Sequence, residues 1–357
     1  MRQNLFFKMK KNLFLSVCLL LCGLLMSCSN DNNSIPEIEQ DTLSRILVLS
    51  EGNFTKGNSD LCAINVESDQ VSEDVFRTIN GRPLGDVGQS MAIINDKIYA
   101  VLNNSAKIEV FDAKTYKQEA TILDTEKQIS PRYIAKLSDK QALVTNMNNK
   151  LILINLESNT IEKYIPTERS TEQLVVVGTK VFIASGSSIL VADVNNLENL
   201  RKIEASAGGS SKLVVDKNNK IWVIASAGLQ CIDPTSETVI KTIPLGDIRI
   251  SSFAVRLETD ATKSKLYFNG NRNNADHIFE VSIDATAMPE AALFELKKDE
   301  VKNLYNIGIS SEGFVYICDA RDYSQRGLLH KFNTKGELLK SYTVGIIPQY
   351  ILFVNNK

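Results

Sequence analysis

Amide, guanidinium and aromatic side chains between apolar runs are the residues of this chain best equipped to bind a ligand. Asparagine and glutamine offer a donor and an acceptor together, and arginine presents a planar fork that suits phosphate or amide oxygens. The rings of Phe54 and Tyr323 can stack on a flat group. These side chains favour a large polar ligand with many amides, or a sugar. The candidate ligand-binding residues are Asn53, Phe54, Asn58, Gln89, Asn103, Asn104, Arg132, Asn146, Asn148, Arg249, Asn271, Arg272, Arg321 and Tyr323.

Each candidate also has a structural interpretation. Asparagine in a tight turn often serves to allow a positive φ, and for Asn104 and Asn149 this is the preferred interpretation. Phe54 could instead pack in the core. The set as a whole, and not any single member, therefore carries the prediction of a binding surface.

Residues typical of catalysis and metal binding are few. The two histidines, His277 and His330, are predicted to lie at strand ends, and Cys62, Cys231 and Cys318 lie in apolar runs, as small buried hydrophobes do. The sequence has no HExxH, EF-hand, CxxC, Walker or GxSxG pattern. We therefore predict a protein that is not an enzyme and that has no metal site and no catalytic cofactor.

The first 27 residues have the pattern of a secretory signal. Basic residues precede a run of about 14 apolar residues, Leu13–Met26, which is short for a membrane-spanning helix of about 20. Leu25-Met26-Ser27-Cys28 resembles the lipobox of bacterial lipoproteins, in which Cys28 becomes the lipidated first residue. We predict a signal peptide at 1–27, a lipidated flexible tether at 28–44 and a folded domain at 45–357. The alternative is an ordinary secretory signal that is cleaved nearby.

The overall charge excludes one class of partner. The net charge is −2, and the predicted signal peptide carries four basic residues and no acid, which leaves about −6 on the rest of the chain. Nucleic-acid binding requires a basic face. Nucleic acid is therefore not an expected partner.

The elements that must position the candidate residues are strands. The segment Pro131–Ile165 predicts four of them, at Arg132–Leu137, Gln141–Asn146, Lys150–Asn155 and Thr160–Ile165, because short Val, Ile, Leu and Tyr runs are separated by Asn, Asp and Ser. No amphipathic helix of useful length is predicted. One sheet of this size cannot bury both of its faces, so copies of it are expected elsewhere.

The copies are present. Taking Met91, Ile134, Leu174, Leu213, Ala254, Ile307 and Ile351 as equivalent positions of first strands gives spacings of 43, 40, 39, 41, 53 and 44 residues. This period predicts an all-β fold, a seven-bladed β-propeller. The first unit begins without an innermost strand, and the chain ends in one that has no successor. We therefore expect the C-terminal strand to complete the first blade, which removes two exposed edges.

Propeller geometry places the candidate residues on one face. The loop between the second and third strands of each blade and the connection to the next blade open on the same side. These segments are long and varied, for example 50–59, 80–89, 269–276 and 319–327. Elaborated loops on a rigid scaffold are where function usually lies.

The chain resembles a known family. The region 45–354 resembles seven-bladed propellers of the YVTN/YncE type, the "surface layer protein" propellers of Bacteroidetes, and Val144-Thr145-Asn146 fits their repeat. Within them it is most similar to the BtuG-type lipoproteins that bind cobalamin. The segments that carry this resemblance are Ser50–Phe54, Gly57-Asn58, Leu84–Met91, Val101–Ser105 and Ser130–Ile134.

The resemblance implies a function. It implies a lipoprotein of the outer membrane, anchored through Cys28 and facing the cell exterior. Such a protein captures cobalamin or a related corrinoid as a transported ligand and passes it to a TonB-dependent transporter. The alternative is a propeller that binds proteins or glycans at the cell surface. A third possibility, an enzyme such as a lactonase or a lyase, predicts a metal or a buried carboxylate cluster at the central channel.

Overall fold

A computed structural model describes residues 43–203, 212–250 and 256–355. The predicted signal peptide, Cys28 and nearly all of the predicted tether lie outside the described residues. The strands form seven antiparallel four-stranded sheets, as the sequence predicts. Among the described residues no helix is long and apolar enough to cross a membrane.

The blades follow the chain order. The strands of the first three blades are β1 (Leu43–Ser50), β2 (Asp60–Asn65), β3 (Val71–Ser72), β4 (Gly88–Ile94), β5 (Lys97–Leu102), β6 (Lys107–Asp112), β7 (Gln118–Leu123), β8 (Pro131–Lys136), β9 (Gln141–Asn146), β10 (Lys150–Asn155) and β11 (Thr160–Pro166). Those of the other four are β12 (Leu174–Val177), β13 (Lys180–Ser185), β14 (Ser188–Asp193), β15 (Asn196–Ile203), β16 (Val214–Val215), β17 (Ile221–Ala225), β18 (Gly228–Asp233), β19 (Thr238–Ile243), β20 (Leu257–Thr259), β21 (Lys265–Arg272), β22 (Ala275–Ser282), β23 (Phe294–Leu296), β24 (Leu304–Ile309), β25 (Val315–Asp319), β26 (Leu328–Phe332), β27 (Leu338–Thr343) and β28 (Pro348–Asn355).

The last strand closes the ring. β28 is the innermost strand of the first sheet and pairs antiparallel with β1, with Ile351 opposite Val48. The innermost strands contact one another in succession around the channel, from β28 and β4 through to β24 and β28. The predicted closure by the C-terminal strand is confirmed.

The core consists of layers between adjacent blades. Leu47 and Leu61 of the first blade pack with Met91 and Phe111 of the second, and all four are buried. Burial of each such side chain contributes about 1.5–3 kcal/mol. Trp222 is fully buried, and its indole N–H donates to Asp216 Oδ2 at 2.8 Å. The inter-blade layers hold the inner strands, and hence the channel mouth, in place.

Two details were not given by the sequence-based expectation. In the sixth blade, the expected first strand around Ala254 lies outside the described residues. The innermost strand is β20, where Leu257 pairs with Phe268. A six-residue helix, α1 (Val75–Asn80), connects the first two blades, with Asp74 as its N-cap. It is too short to produce a helical period in the sequence.

Candidate functional site

Polar side chains from several blades meet where the innermost strands begin. At the start of β8, Arg132 Nε donates to Glu172 Oε2 at 2.8 Å, and a guanidinium N–H of Arg132 donates to Gln89 Oε1. The Gln89 amide also donates to the Tyr133 hydroxyl at 3.1 Å. Blades two, three and four are thereby joined at one end of the channel. We name Glu51, Gln89, Arg132, Glu172, Arg256 and Tyr305 the channel-mouth cluster.

Glu51 stands at the centre of this cluster. It follows β1, and the Tyr305 hydroxyl and the charges of Arg132 and Arg256 all act on the pKa of its carboxyl group. Burial raises the pKa of Glu51 above its usual value, although Tyr305 and the two arginines act in the opposite sense. Burial, together with the charge of Glu51, raises the pKa of Tyr305 as well. A carboxyl group with a raised pKa inside a channel is a candidate for proton exchange.

The cluster is held by contacts of its own members. Arg256 Nε donates to the Tyr305 carbonyl at 2.7 Å, and the Arg256 guanidinium lies 5.8 Å from the centre of the Tyr305 ring. Arg256 precedes β20 and Tyr305 lies near the start of β24, so this contact joins the sixth and seventh blades. The positions of the charged groups therefore depend on closure of the ring.

A second polar layer lies deeper in the channel. Lys212 forms an ion pair with Glu258, and its ammonium group is 5.9 Å from the centre of the Tyr350 ring. Burial acts to lower the pKa of Lys212, but Glu258 outweighs it and the pKa is raised. A small cavity of about 100 Å³ lies beside Lys212, lined among others by Ser90, Tyr133 and Tyr350.

Two of the predicted aromatic residues are exposed at the rim. The side chain of Phe54 is 69% exposed and that of Tyr323 is 45% exposed. Asn53 Nδ2 donates to the Tyr323 carbonyl at 2.9 Å, so the two loops are tied together. The Tyr323 ring makes an edge contact with Tyr305 at 6.2 Å, which joins the rim to the channel-mouth cluster. Exposed aromatic side chains beside a polar mouth are the arrangement expected of a binding surface.

Several of the predicted ligand-binding residues instead form hydrogen bonds with backbone groups of the protein. Asn58 Oδ1 accepts from the Asn53 N–H at 2.8 Å. Asn103 Nδ2 donates to the Pro131 carbonyl at 3.0 Å, and Asn146, which is fully buried, accepts from the Ser130 N–H at 2.6 Å. Asn148 Nδ2 donates to the Gln128 carbonyl at 3.0 Å. These amides hold loops and connections in place.

The prediction that asparagine allows a positive φ in a turn is confirmed for Asn149 but not for Asn104. Asn149 has a φ of 51°, whereas Asn104 is not among the described residues with positive φ. The Asn104 amide instead donates to Asp86 Oδ2 at 2.6 Å. Asp86 also accepts from the Thr55 N–H at 2.8 Å, so it fixes the loop that carries Phe54.

The predicted residues of the sixth blade make their contacts away from the cluster. Arg249 pairs with Asn271 through backbone hydrogen bonds, and Asn271 Nδ2 donates to Asp276 at 3.0 Å. Arg272 forms an ion pair with Asp247 at 3.0 Å and donates to the Glu290 carbonyl. Arg321, in the seventh blade, donates to the Arg326 carbonyl at 3.4 Å. Among the described residues, none of these contacts reaches the channel-mouth cluster.

Sequence reasoning did not select several channel residues. Glu51, Glu172, Lys212, Arg256, Glu258, Tyr305 and Tyr350 were all outside the candidate set. The repeat held a signal for most of them, since a polar or aromatic residue stands one or two positions before the equivalent apolar residue of each innermost strand. Examples are Glu172 before Leu174, Lys212 before Leu213 and Tyr305 before Ile307. In a closed ring these positions converge.

The histidines make local contacts. His330 Nε2 lies 3.5 Å from Asp319 Oδ2, and its Nδ1 lies 2.8 Å from Ser341 Oγ. Asp319 also accepts from the backbone N–H groups of Lys302 and Asn303, so it anchors the connection into the seventh blade. Within the described parts of the chain, no group of three or more His, Cys, Asp or Glu residues is arranged to hold a metal ion.

Comparison with known proteins places the chain within a family and a fold. The model of a family described as "Domain of unknown function (DUF5074)" matches residues 45–347. Among curated proteins, none matches the sequence.

Solved structures share the fold at low sequence identity. A quinoprotein alcohol dehydrogenase-like protein of Bacteroides thetaiotaomicron aligns with a TM-score of 0.65 at 15% identity, covering 87% of this chain and 78% of that one. The periplasmic gluconolactonase PpgL of Pseudomonas aeruginosa aligns with a TM-score of 0.64 at 14% identity, covering 88% and 99%. The hydrazine synthase of Kuenenia stuttgartiensis aligns with a TM-score of 0.55 at 12% identity, covering 73% and 87%. These names describe different functions, so the similarity shows the fold alone.

Proposed function

The chain belongs to the DUF5074 family, a family of unknown function, and from this premise we propose that it is a ligand-capture propeller of the outer membrane. Its ligand is cobalamin or a related corrinoid, which it binds on the elaborated face without converting it. It then passes the ligand to a TonB-dependent transporter. The protein is anchored by lipid on Cys28 and faces the cell exterior.

One observation carries this proposal. The exposed rings of Phe54 and Tyr323 stand beside a polar channel mouth on the same face of the propeller. A corrinoid has a broad apolar ring system edged by carboxamides, so it needs flat apolar contacts next to amide and guanidinium partners. The rim supplies the first and the surrounding polar side chains supply the second. The resemblance of the 50–58 and 84–91 segments to cobalamin-binding lipoproteins supports the same ligand.

Calorimetric titration with cyanocobalamin tests the proposal. We expect saturable binding to the domain 45–357, and we expect Phe54→Ala and Tyr323→Ala each to weaken it about twofold to tenfold, since an aromatic contact contributes about 0.5–1.5 kcal/mol. The matched control is Ile240→Ala, because Ile240 is 53% exposed but lies on the outer strand β19. Absence of both heat and a melting-temperature shift at micromolar ligand would reject the corrinoid.

A protein partner or a glycan is the second candidate. Two more apolar side chains, Leu123 and Met147, are each 46% exposed and lie at the same face as Phe54. Exposed apolar side chains therefore occur on the second and third blades as well as beside Phe54 and Tyr323. Recovery of a transporter unrelated to corrinoids from outer-membrane extract, or binding on a glycan array, would favour this candidate, provided that Phe54→Ala abolishes it.

A further inference from the structure

The cavity of about 100 Å³ inside the channel is lined by polar side chains from five blades. These side chains belong to Ser90, Tyr133, Gln173, Lys212 and Tyr350. The first three directly follow members of the channel-mouth cluster in the chain, so the cavity lies one residue deeper in the channel. Its volume has room for roughly three water molecules, or for one small polar group of a ligand.

The hydroxyl of Tyr133 is oriented by its neighbours. A guanidinium group can only donate hydrogen bonds, so the Gln89 side chain turns its oxygen to Arg132 and its NH₂ group to Tyr133. The Tyr133 oxygen accepts from that NH₂ group at 3.1 Å, which leaves its own proton to be donated. Among the described residues this proton has no acceptor. The hydroxyl is therefore a donor available to a ligand in the cavity that Tyr133 lines.

Tyr350 and Gln173 supply two more groups that the protein itself does not use. Both side chains line the cavity and are only partly exposed. Neither forms a hydrogen bond within the parts of the chain that the structure describes. Burial raises the pKa of Tyr350, so its hydroxyl keeps the proton that it can donate. Gln173 presents both a donor and an acceptor on one planar amide.

The charges around the cavity cancel in pairs. Lys212 forms an ion pair with Glu258, and Arg132 forms one with Glu172 at 2.8 Å. A further charge in this partly buried place would have no counter-charge, which is unfavourable. The cavity therefore favours a neutral group over a carboxylate or an ammonium group.

We propose that the channel cavity binds a primary carboxamide group. The ligand oxygen accepts from the hydroxyls of Tyr133 and Tyr350, and the ligand NH₂ group donates to the side-chain oxygen of Gln173. The carboxamide belongs either to a small free amide or to a side arm of a larger ligand on the rim. The first source needs only the cavity, whereas the second rests on the proposed corrinoid function.

Propionamide is the probe, and its binding to the full-length protein is measured by ligand-observed NMR. We expect a dissociation constant of about 1–10 mM, as befits so small a ligand. Propionate has nearly the same shape but is ionised at about pH 7, so we expect it to bind at least about tenfold more weakly. No binding of propionamide at tens of millimolar, or equal binding of both probes, overturns the proposal.

Tyr350→Phe and Tyr133→Phe each remove one donor and keep the ring. Each should weaken propionamide binding about twofold to tenfold, the contribution of one neutral hydrogen bond. Tyr350→Phe should leave the urea midpoint unchanged, because its hydroxyl has no partner in the protein to lose. The matched control is Tyr99→Phe, whose hydroxyl donates to Asn159 at 3.0 Å away from the cavity and whose loss should not change the affinity. Unchanged affinity in both cavity variants, or a loss of stability alone, overturns the proposal.

Competition with cyanocobalamin distinguishes the two sources of the carboxamide. If cyanocobalamin displaces propionamide, and Tyr350→Phe weakens the binding of both, the group is a side arm of the larger ligand. If both bind together, the cavity takes a free small amide. If cyanocobalamin does not bind at all, only the corrinoid proposal fails, and the propionamide results decide on the cavity alone.

Discussion

Asn146 shows how a single side chain can have the chemistry of a binding residue and serve the fold. It is the last residue of β9, it is fully buried, and it accepts from the Ser130 N–H at 2.6 Å. Asp319 ends the corresponding strand of the seventh blade and accepts from Asn303 N–H at 2.8 Å. Ser185 ends the corresponding strand of the fourth blade, and its hydroxyl donates a hydrogen bond to the Ser170 carbonyl. A polar residue at this position fixes the connection that enters the blade.

Substitution of Asn146 separates the two roles. Asn146→Ala should lower the free energy of unfolding by about 1–3 kcal/mol, because the Ser130 N–H loses its partner in a buried place. Ligand affinity should not change. Urea denaturation and calorimetry of the same samples measure both quantities. Asn148→Ala is the matched control, since Asn148 is exposed and its loss should cost no more than about 0.5 kcal/mol. A weaker ligand affinity at unchanged stability would show that Asn146 is a binding residue and not a structural one.

At the residue scale the sequence predicted side-chain types better than it predicted neighbours. Phe54 and Tyr323 are exposed, and Gln89 and Arg132 meet at the channel. Glu51 was not selected, because an acidic residue beside a glycine has no distinguishing local pattern. Its role depends on arginines and a tyrosine from blades that only ring closure brings near. For Glu51 this proximity is a property of the folded ring, and the sequence around it has no matching pattern.

Among the strands, local pattern determined most of what could be predicted. In the third blade β9 and β10 have the predicted bounds, because turn-forming residues such as Asn149 define their ends. In the sixth blade the described innermost strand is β20 (Leu257–Thr259), and the chosen residue, Ala254, lies outside the described residues. Leu257 of β20 pairs with Phe268 of the next strand. Such pairing depends on the neighbouring strand, which the local pattern does not report.

The closing strand β28 yields a prediction for a whole element. A chain that ends at Ile347 leaves the edge of β1 open and exposes apolar residues of the first blade, such as Leu47 and Leu49. We expect this chain to aggregate or to lose its cooperative thermal transition, as seen by light scattering and circular dichroism. A peptide of residues 345–357 added in trans should restore the transition.

The matched control is the same peptide with Ile351→Asp and Phe353→Asp. It keeps the length and most of the backbone pairing, but it places two charges against the buried side chains of the seventh blade and the first blade. Rescue by this peptide would mean that strand addition alone, without side-chain packing, closes the ring. A truncated chain with the full melting temperature would contradict the closure.

For the whole molecule, hydrogen bonds and ion pairs between side chains join adjacent blades at several blade boundaries. Tyr116 receives a hydrogen bond from Arg45 at 2.8 Å between the first and second blades. The remaining ties each use a carboxylate. They are Tyr164 to Asp124 at 2.5 Å, Lys163 to Glu198 at 3.0 Å, Arg201 to Glu237 at 2.8 Å and Tyr342 to Asp69 at 2.5 Å. The stability of the ring therefore depends in part on carboxylates that must stay ionised.

Acid should weaken these boundaries together. Hydrogen bonds from Arg201 lower the pKa of Glu237 to about 2, and Tyr342 and Tyr164 lower the pKa values of Asp69 and Asp124. A lowered pKa in the folded state contributes stability above the unfolded pKa, and this contribution is lost as the pH falls through the folded pKa. The window therefore lies between about pH 4.5 and about pH 2. The raised pKa values of Glu51 and Asp60 act in the opposite sense, because their ionisation on going to higher pH reduces stability.

Glu237→Gln tests the argument at the boundary between the fourth and fifth blades, where Lys180 and Arg201 share the carboxylate. We expect a loss of about 1–2 kcal/mol in the free energy of unfolding at about pH 7, since the group is only partly shielded from solvent. At about pH 2 the variant and the wild type should unfold at nearly the same urea concentration, because most of the stability contributed by the charge is lost once the pH reaches the folded pKa of Glu237. Glu198→Gln, whose side chain is 72% exposed, is the control and should cost under about 0.5 kcal/mol at either pH. An equal loss for Glu237→Gln at both pH values would show that shape and packing of the side chain, rather than its charge, hold this boundary.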